Sequence, residues 1–552
     1  MFSQSSAQAF SPRKKGKTCA RGPTFLGFLC LITLGFSTPC PFAPEAARAA
    51  TADGQSQTIV ADNPLAAEAG LDILRAGGTA TDAAIAALLV LGLVEPQAAG
   101  IGGGAFLLHY DAKHKRVDSY DGQVTAPAGS SGRLFLDKSG APLSGEAVAV
   151  GGRAVGVPGL LRLAQLAHQD HGRLPWSALF APAIALAERG FRVSARLHRA
   201  IAEDSFLLSR PATAGYFYGR GGRAVGSGDR LHNQAYADSL RRIAEGGPTA
   251  FYSGAIAQNI VSTVRNDREN PGFMTLYDLE SYRAKRRLTL CIPYRIWRIC
   301  SMPPPSAGGL ALLQAMSLLG QFDLASLPPN GPAALRLMTE AERLADADRA
   351  LFLADPDLVQ LPLQRLLDPV YLRQRAALIS PDRSLGEVTP GLVSDRFAAM
   401  PPQPDTASAT PLSVVDQWGN AAALTASLHD PFGARLMVDG FLLDNGLADF
   451  AYTPRVDDRP VANRVEGGKR PVSSMVPTMV LDRQGRLLLA IGSSGGAGSI
   501  GFVLRTLVAR LDWGLALDDA IVPGSGLNVI GRKVDRWIGA TDPRRNGAVL
   551  AD

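Results

Sequence analysis

Between residues 382 and 428 the chain changes character twice, and that stretch constrains the fold more than any other. Thr389-Pro390, Met400-Pro401-Pro402-Gln403-Pro404 and Thr406-Ala-Ser-Ala409 are proline-rich, polar and small, which predicts an exposed, cleavable connector over 382–409. Alternating residues Leu412-Ser-Val-Val415 come next, then a tight-turn sequence, Asp416-Gln-Trp-Gly-Asn420, and a second apolar run from Ala421 to Leu428. That order predicts a strand, a turn and a returning strand.

Further strands are expected at 476–481 and 487–491. Helical spacing covers 63–94, where Asn63 suits a cap, Pro64 the first helical position, and Gly77-Gly78 divides two helices. Residues 158–200 and 333–381 also carry long helical patterns, the second with Glu340, Arg343, Asp346 and Arg349 spaced as a charged, solvated face. Gly100-Ile-Gly-Gly-Gly104 precedes a strand at Ala105–His109. A phosphate-binding loop has the order strand, glycines, helix, whereas here the glycines follow a helix, so they serve close backbone packing. Long helices with antiparallel hairpins give an α+β class.

The net charge of +6 invites a nucleic-acid reading, which disappears once the charges are located. Arg13, Lys14, Lys15, Lys17, Arg21 and Arg48 stand against Glu45 in residues 1–49, leaving 50 basic and 49 acidic residues beyond them. No basic stripe interleaved with aromatics remains to bind nucleic acid. The N-terminal charges form instead the basic region of an export signal, followed by an apolar run from Phe25 to Phe36 and the small-residue site Ala47-Arg48-Ala49. The run is too short to span a bilayer, which argues against a stable membrane anchor and for a secreted or periplasmic chain starting near Ala50. Cys291 and Cys300 are the two cysteines left after that signal, and in an exported chain they are expected to form a disulfide across a short hairpin. Two cysteines without a nearby histidine make a poor metal site, and no cofactor motif is evident.

The chemistry-bearing motifs are spread along the chain in a fixed order. They run Asn63-Pro64-Leu-Ala-Ala, Gly77-Gly78-Thr-Ala-Thr-Asp82, Glu95-Pro96-Gln97, Gly102-Gly103-Gly104, Val157-Pro158-Gly159 and Pro303-Pro304-Pro305-Ser306-Ala-Gly308-Gly309. Ser413-Val-Val-Asp416, Lys469-Arg470-Pro471-Val-Ser473-Ser474-Met475, Gly492-Ser-Ser-Gly495-Gly496 and Asp542-Pro543-Arg544 follow. From about residue 59 to the C-terminus this order resembles the γ-glutamyltranspeptidase family.

The resemblance implies a four-layer αββα sandwich of the N-terminal-nucleophile hydrolase type. With the export signal read over 1–49, it also implies a proenzyme that cuts itself into a large subunit, 50–409, and a small one, 410–552. A new N-terminal threonine would then attack a γ-glutamyl or related amide. The logic is chemical: a threonine hydroxyl is a weak nucleophile, and only backbone scission creates the α-amine that can act as its base. Carried onto this sequence, Ser473 and Ser474 hold the substrate α-carboxylate, Asp449 its α-ammonium, Gly495 and Gly496 supply the oxyanion N–H groups, and Ser427 hydrogen-bonds the nucleophile. The implied partners are a small-molecule substrate and the two subunits of one precursor.

The sequence departs from the family pattern where it matters most. Aligned on Ser413-Val-Val-Asp416, the nucleophile position is Ala409, and Thr410 is the next residue able to serve. Gln123 replaces the arginine that clamps the carboxylate, His429 replaces an asparagine, and Gly446 stands where a longer polar residue helps hold the ammonium. Loss of a bidentate clamp weakens selection for an α-carboxylate. Two outcomes stay open on sequence alone: an active enzyme using Thr410, and an exported family member that binds without catalysis.

Overall fold

The computed structural model describes residues 50–552 apart from 55, 144, 393, 395 and 403–407, so the proposed signal segment lies outside the described residues. Two seven-stranded antiparallel sheets form its centre. The first runs Ala548–Ala551, Thr58–Ala61, Ser408–Val415, Ala421–His429, Gly104–Asp111, Arg116–Gly122, Lys285–Arg287. The second runs Ala50–Gly54, Arg536–Thr541, Asn528–Lys533, Leu487–Gly492, Thr478–Leu481, Trp297–Ser301, Leu290–Tyr294.

Burial divides into layers that follow strand periodicity. Leu412, Val414, Leu424 and Ala426 face a helix-side core with Ala84, Leu88 and Leu91, while Ala409, Val415, Ala421 and Ala423 join Met475, Met479 and Ile530 between the sheets. A third cluster packs Ile491 and Val529 against helices Ala307–Leu319, Pro332–Phe352 and Gly498–Leu511. The result is an αββα sandwich.

Local chemistry explains the elements nearest the site. Helix Pro64–Arg75 starts where the Asn63 side chain accepts from the Leu65 N–H, and helix Ala80–Val94 starts in a Thr79–Asp82 capping box. That second helix is apolar on every side and is buried throughout its length, apart from Gly92 at its partly exposed edge. In the central hairpin, Asp416 accepts from the N–H groups of Trp418 and Asn420, and its other oxygen accepts from Ala80 N–H, so the turn is tied to the helix start. A Cβ at Gly103 would lie 2.3 Å from the Ser427 carbonyl, and one at Gly102 2.1 Å from the Leu442 carbonyl. The glycine run is used for close packing.

Among the described residues of 382–402 the connector is largely exposed, as its composition predicts, with Phe397 and Ala398 buried, and it is tied down at several points. Over 382–402 it is pinned: Gly391 N–H donates to Asp348, Arg375 to the Thr389 carbonyl, Ala398 N–H to Pro460 and Met400 N–H to Ala350. Its backbone groups find tertiary partners that a local reading cannot supply.

Cys291 and Cys300 are directly opposite on neighbouring strands and are joined as a disulfide. Closing so short a loop limits its benefit, so replacing both by serine should lower unfolding free energy by about 2–3 kcal/mol, measured by denaturant unfolding. Free alkylation of both thiols in unreduced, unfolded protein would contradict the bridge.

Candidate active site

The site forms where the inner faces of the sheets meet at the head of strand Ser408–Val415. Residues 409, 411 and 413 point toward the second sheet: Pro411 abuts Gly492, where a Cβ would lie 2.9 Å from its own, and Ser413 Oγ donates to the carbonyls of Ala490 and Asn528. Ala409 therefore presents its methyl group to the inner side. Thr410 points the other way, opposite Ala426, fully buried, with its hydroxyl donating to Asp62 at 3.2 Å. Asp62 also accepts from Asn528 Nδ2 at 2.9 Å, and the same amide donates to the Pro411 carbonyl at 2.7 Å. A register irregularity pairs Ser408 with His429 but Thr410 with Ala426, so Ser427 and Leu428 bulge opposite the single residue Ala409.

On the paired strand, Ser427 shares the inner face. Its hydroxyl donates to the Ser408 carbonyl at 2.5 Å and accepts from His429 N–H at 2.7 Å. The chain then turns at His429 with φ of +74°, a strained value for a residue with a Cβ. This bend sends the imidazole toward Asp449 at 3.1 Å and Asp430 at 3.2 Å. Burial alone would suppress the imidazolium, but the two carboxylates outweigh it and hold the His429 pKa well above that of free histidine.

Gln123, Ser427, His429, Asp449 and Ser473, together with Gly446, line one small cavity of about 10 Å³, room for a single water. Gln123 is buried; its amide oxygen accepts from Val124 N–H and its nitrogen lies 3.5 Å from the Pro471 carbonyl. At Gly446 a Cβ would lie 2.8 Å from Val124 Cγ2, so Val124 fills the space a longer side chain needs. Asp449 also walls a second cavity of about 250 Å³ with Ser474, Arg349, Asn463, Asp346 and Ala497. Thr410 lines neither.

The Ser473-Ser474 loop is held from behind by the proline-rich turn. Ala307 N–H donates to the Ser473 carbonyl, Ser306 Oγ to that of Met475, and a Cβ at Gly308 would lie 2.4 Å from the Ser474 carbonyl. Gly495 and Gly496, at φ +117° and +57°, turn the chain into helix Gly498–Leu511, where Ser499 Oγ contacts the carbonyls of both Gly496 and Ser474. Neither glycine N–H has an acceptor among the described residues.

Sequence reasoning did not find Asp62, Asp444, Asn463 or Arg349. Asp444 is buried beside the small cavity, and burial pushes its pKa up to about 7 despite N–H donation from Gly156 and Gly446. In the sequence Arg349 looked like one member of a solvated stripe; only tertiary placement separates it from such residues. Among the described residues no cluster of three or more His, Cys, Asp or Glu could hold a metal ion, and no helix is long and apolar enough to cross a membrane.

The fold is that of the N-terminal-nucleophile hydrolases. Residues 66–524 match the family model described as gamma-glutamyltranspeptidase. The glutathione hydrolase proenzyme of Bacillus subtilis (strain 168) is 34% identical over 478 residues, 85% of this chain and 80% of that protein. γ-Glutamyltranspeptidase from Helicobacter pylori aligns with TM-score 0.57 and 32% identity over 60% of this chain and 94% of its own. A cephalosporin acylase from Bacillus halodurans shares the fold at TM-score 0.76 and 24% identity, covering 94% of this chain and 99% of its own. The chain belongs to the γ-glutamyltranspeptidase family.

A raised native pKa means the His429 contribution is complete below the unfolded value of about 6.5 and fades as pH rises through the native value. His429→Asn should therefore cost on the order of 2–3 kcal/mol near pH 6, less than for a wholly enclosed pair because Asp449 is partly exposed, and progressively less in alkali. Denaturant unfolding of both proteins across pH 5–10 checks this; a pH-independent difference would refute it.

Proposed function

We propose that the chain is a hydrolase or transferase acting on an amide acyl group at the cleft bounded by Asp449, Ser473 and Ser474. It matures by scission between Ala409 and Thr410 into subunits of 50–409 and 410–552, and it is exported through the N-terminal segment. The single observation that carries this reading is the Thr410 hydroxyl, which follows directly on the residue facing the Ser427-Leu428 bulge and already donates to a buried carboxylate, Asp62. In scission, Thr410 Oγ attacks the Ala409 carbonyl carbon, the C–N bond breaks as the nitrogen takes up a proton, and the Thr410 ester that forms is hydrolysed by water. The freed α-amine then acts as base for Thr410 in acyl transfer, with Gly495 and Gly496 N–H groups as the oxyanion donors. Release of residue 409 lets the strand end turn Thr410 from Asp62 to the inner face.

The zwitterionic end of a γ-glutamyl group is poorly provided for. Gln123 is neutral, Gly446 has no side chain, and Asp449 is engaged by His429. Related amide acyl groups fit this reading as well as γ-glutamyl ones.

A second reading is favoured by one specific observation: the inner-face position carries the Ala409 methyl, while Thr410 is fully buried on the opposite face. On that reading the chain binds in the cleft and never forms an acyl-enzyme.

Intact mass separates the two. The first expects two fragments meeting at 409–410, complete loss of cleavage and activity in Thr410→Ala, and retained cleavage in Thr410→Ser. A wild-type chain still uncut after prolonged incubation overturns the first reading and leaves the second.

A further inference from the structure

Loss of an arginine at position 123 leaves open which cation meets an anionic substrate. We propose that Arg349 is the carboxylate-binding residue of this cleft, acting with Ser474, so that the acyl group taken here is an amide whose far end bears a carboxylate. The inference rests on the reading that this cleft is the substrate site.

Arg349 lies near the end of helix Pro332–Phe352, and its guanidinium reaches the 250 Å³ cavity. Its Nη2 donates to Ser474 Oγ at 3.0 Å. The serine oxygen thus accepts from Arg349, and among the described residues its own proton goes to no other group. A guanidinium and a hydroxyl side by side, both with hydrogens to give, match the two oxygens of one carboxylate.

The competing anion is weakly engaged. Asp346, one turn earlier on the helix, meets Arg349 at 3.4 Å with its side chain 55% exposed, an ion pair that solvent largely cancels. Arg349 itself is only 19% exposed, so a ligand carboxylate displacing water there meets a better-shielded cation than solvent offers. Gln123 cannot compete, since its cavity of about 10 Å³ admits no carboxylate and its amide is directed at backbone groups. The other cation at the cleft, His429, is already held by Asp449 and Asp430.

Binding is measured by calorimetry in a Thr410→Ala background, so that scission and turnover play no part. The probes are glutaramate, with one carboxylate and one amide, and glutaramide, in which both ends are neutral. Glutaramate should bind, and Arg349→Gln should weaken it ten- to a hundredfold, with Arg349→Lys recovering part of the loss. Glutaramide should bind weakly and equally to all three proteins, which a general collapse of the cleft would not allow. Should Arg349→Gln fail to fold, Ser474→Ala replaces it, with an expected loss of three- to tenfold for glutaramate alone. Unchanged glutaramate affinity in these variants, equal affinity for the two probes, or no glutaramate binding would overturn the proposal. Each result is independent of whether the wild type cleaves at 409–410, so failure here and failure of the maturation step are told apart.

Discussion

Everything at the cleft depends on the antiparallel pairing of Ser408–Val415 with Ala421–His429 in the middle of the first sheet. With strands on both sides, neither of the two can slip without exposing the core-facing residues of four strands. That register places residues 409 and 427 on one face, and it sets the side from which the loops carrying Asp449 and Ser473 must approach. It also decides what position 409 means. A strand side chain has only two directions, and at this position the inner one belongs to Ala409 and the outer one to Thr410.

The loops that complete the site are positioned by backbone carbonyls more than by side chains. Ser427, Ser473 and Ser474 each have a neighbouring element pressed against the carbonyl of their own residue: Gly103 on the first, Ala307 on the second, Gly308 on the third. Close approach of this kind needs glycine or a small residue, which is why the motif glycines lie behind the site rather than in it. Beneath Gln123, Asp121 is held by Arg287 at 2.9 Å and Arg470 at 3.4 Å, with Asp357 bridging to the same arginines. Two of these four partners, Asp121 and Arg470, are buried, so this network makes the wall of the cleft rigid without contributing a group to it.

Much of this was legible in the sequence, and the failures share a cause. The two helices separated by Gly77-Gly78, the central hairpin with its Asp416 turn, and the Cys291–Cys300 staple are local patterns, each settled within about thirty residues. Clustering of Gln123, Ser427, His429, Asp449 and Ser473 followed from motif order, which stands in for tertiary structure. What local pattern could not supply was the partner of a polar group far along the chain. Thr410 meets Asp62 across 348 residues, and Arg349 meets Ser474 across 125. The connector over 382–402 is largely exposed, as its composition suggests, and what local pattern could not supply there is its ties to Asp348, Ala350 and Pro460.

The substitutions that set this chain apart from the family pattern also fit together electrostatically. Relative to that pattern, position 123 gives up a positive charge and position 429 gains one, and both side chains line the same cavity. The cleft already holds Asp430, Asp444 and Asp449, and three carboxylates so close together cannot all stay ionised without a cation among them. His429 supplies it to two of them, at 3.2 and 3.1 Å, which is what holds its proton on well above the usual histidine range. Asp444 receives only backbone N–H bonds, so burial governs it and its pKa is pushed up to about 7. At neutral pH the cleft therefore holds a carboxyl able to donate as well as accept a proton, next to an imidazolium that neutralises Asp449. The same ion pair that makes these buried charges tolerable leaves Asp449 less able to attract any further cation.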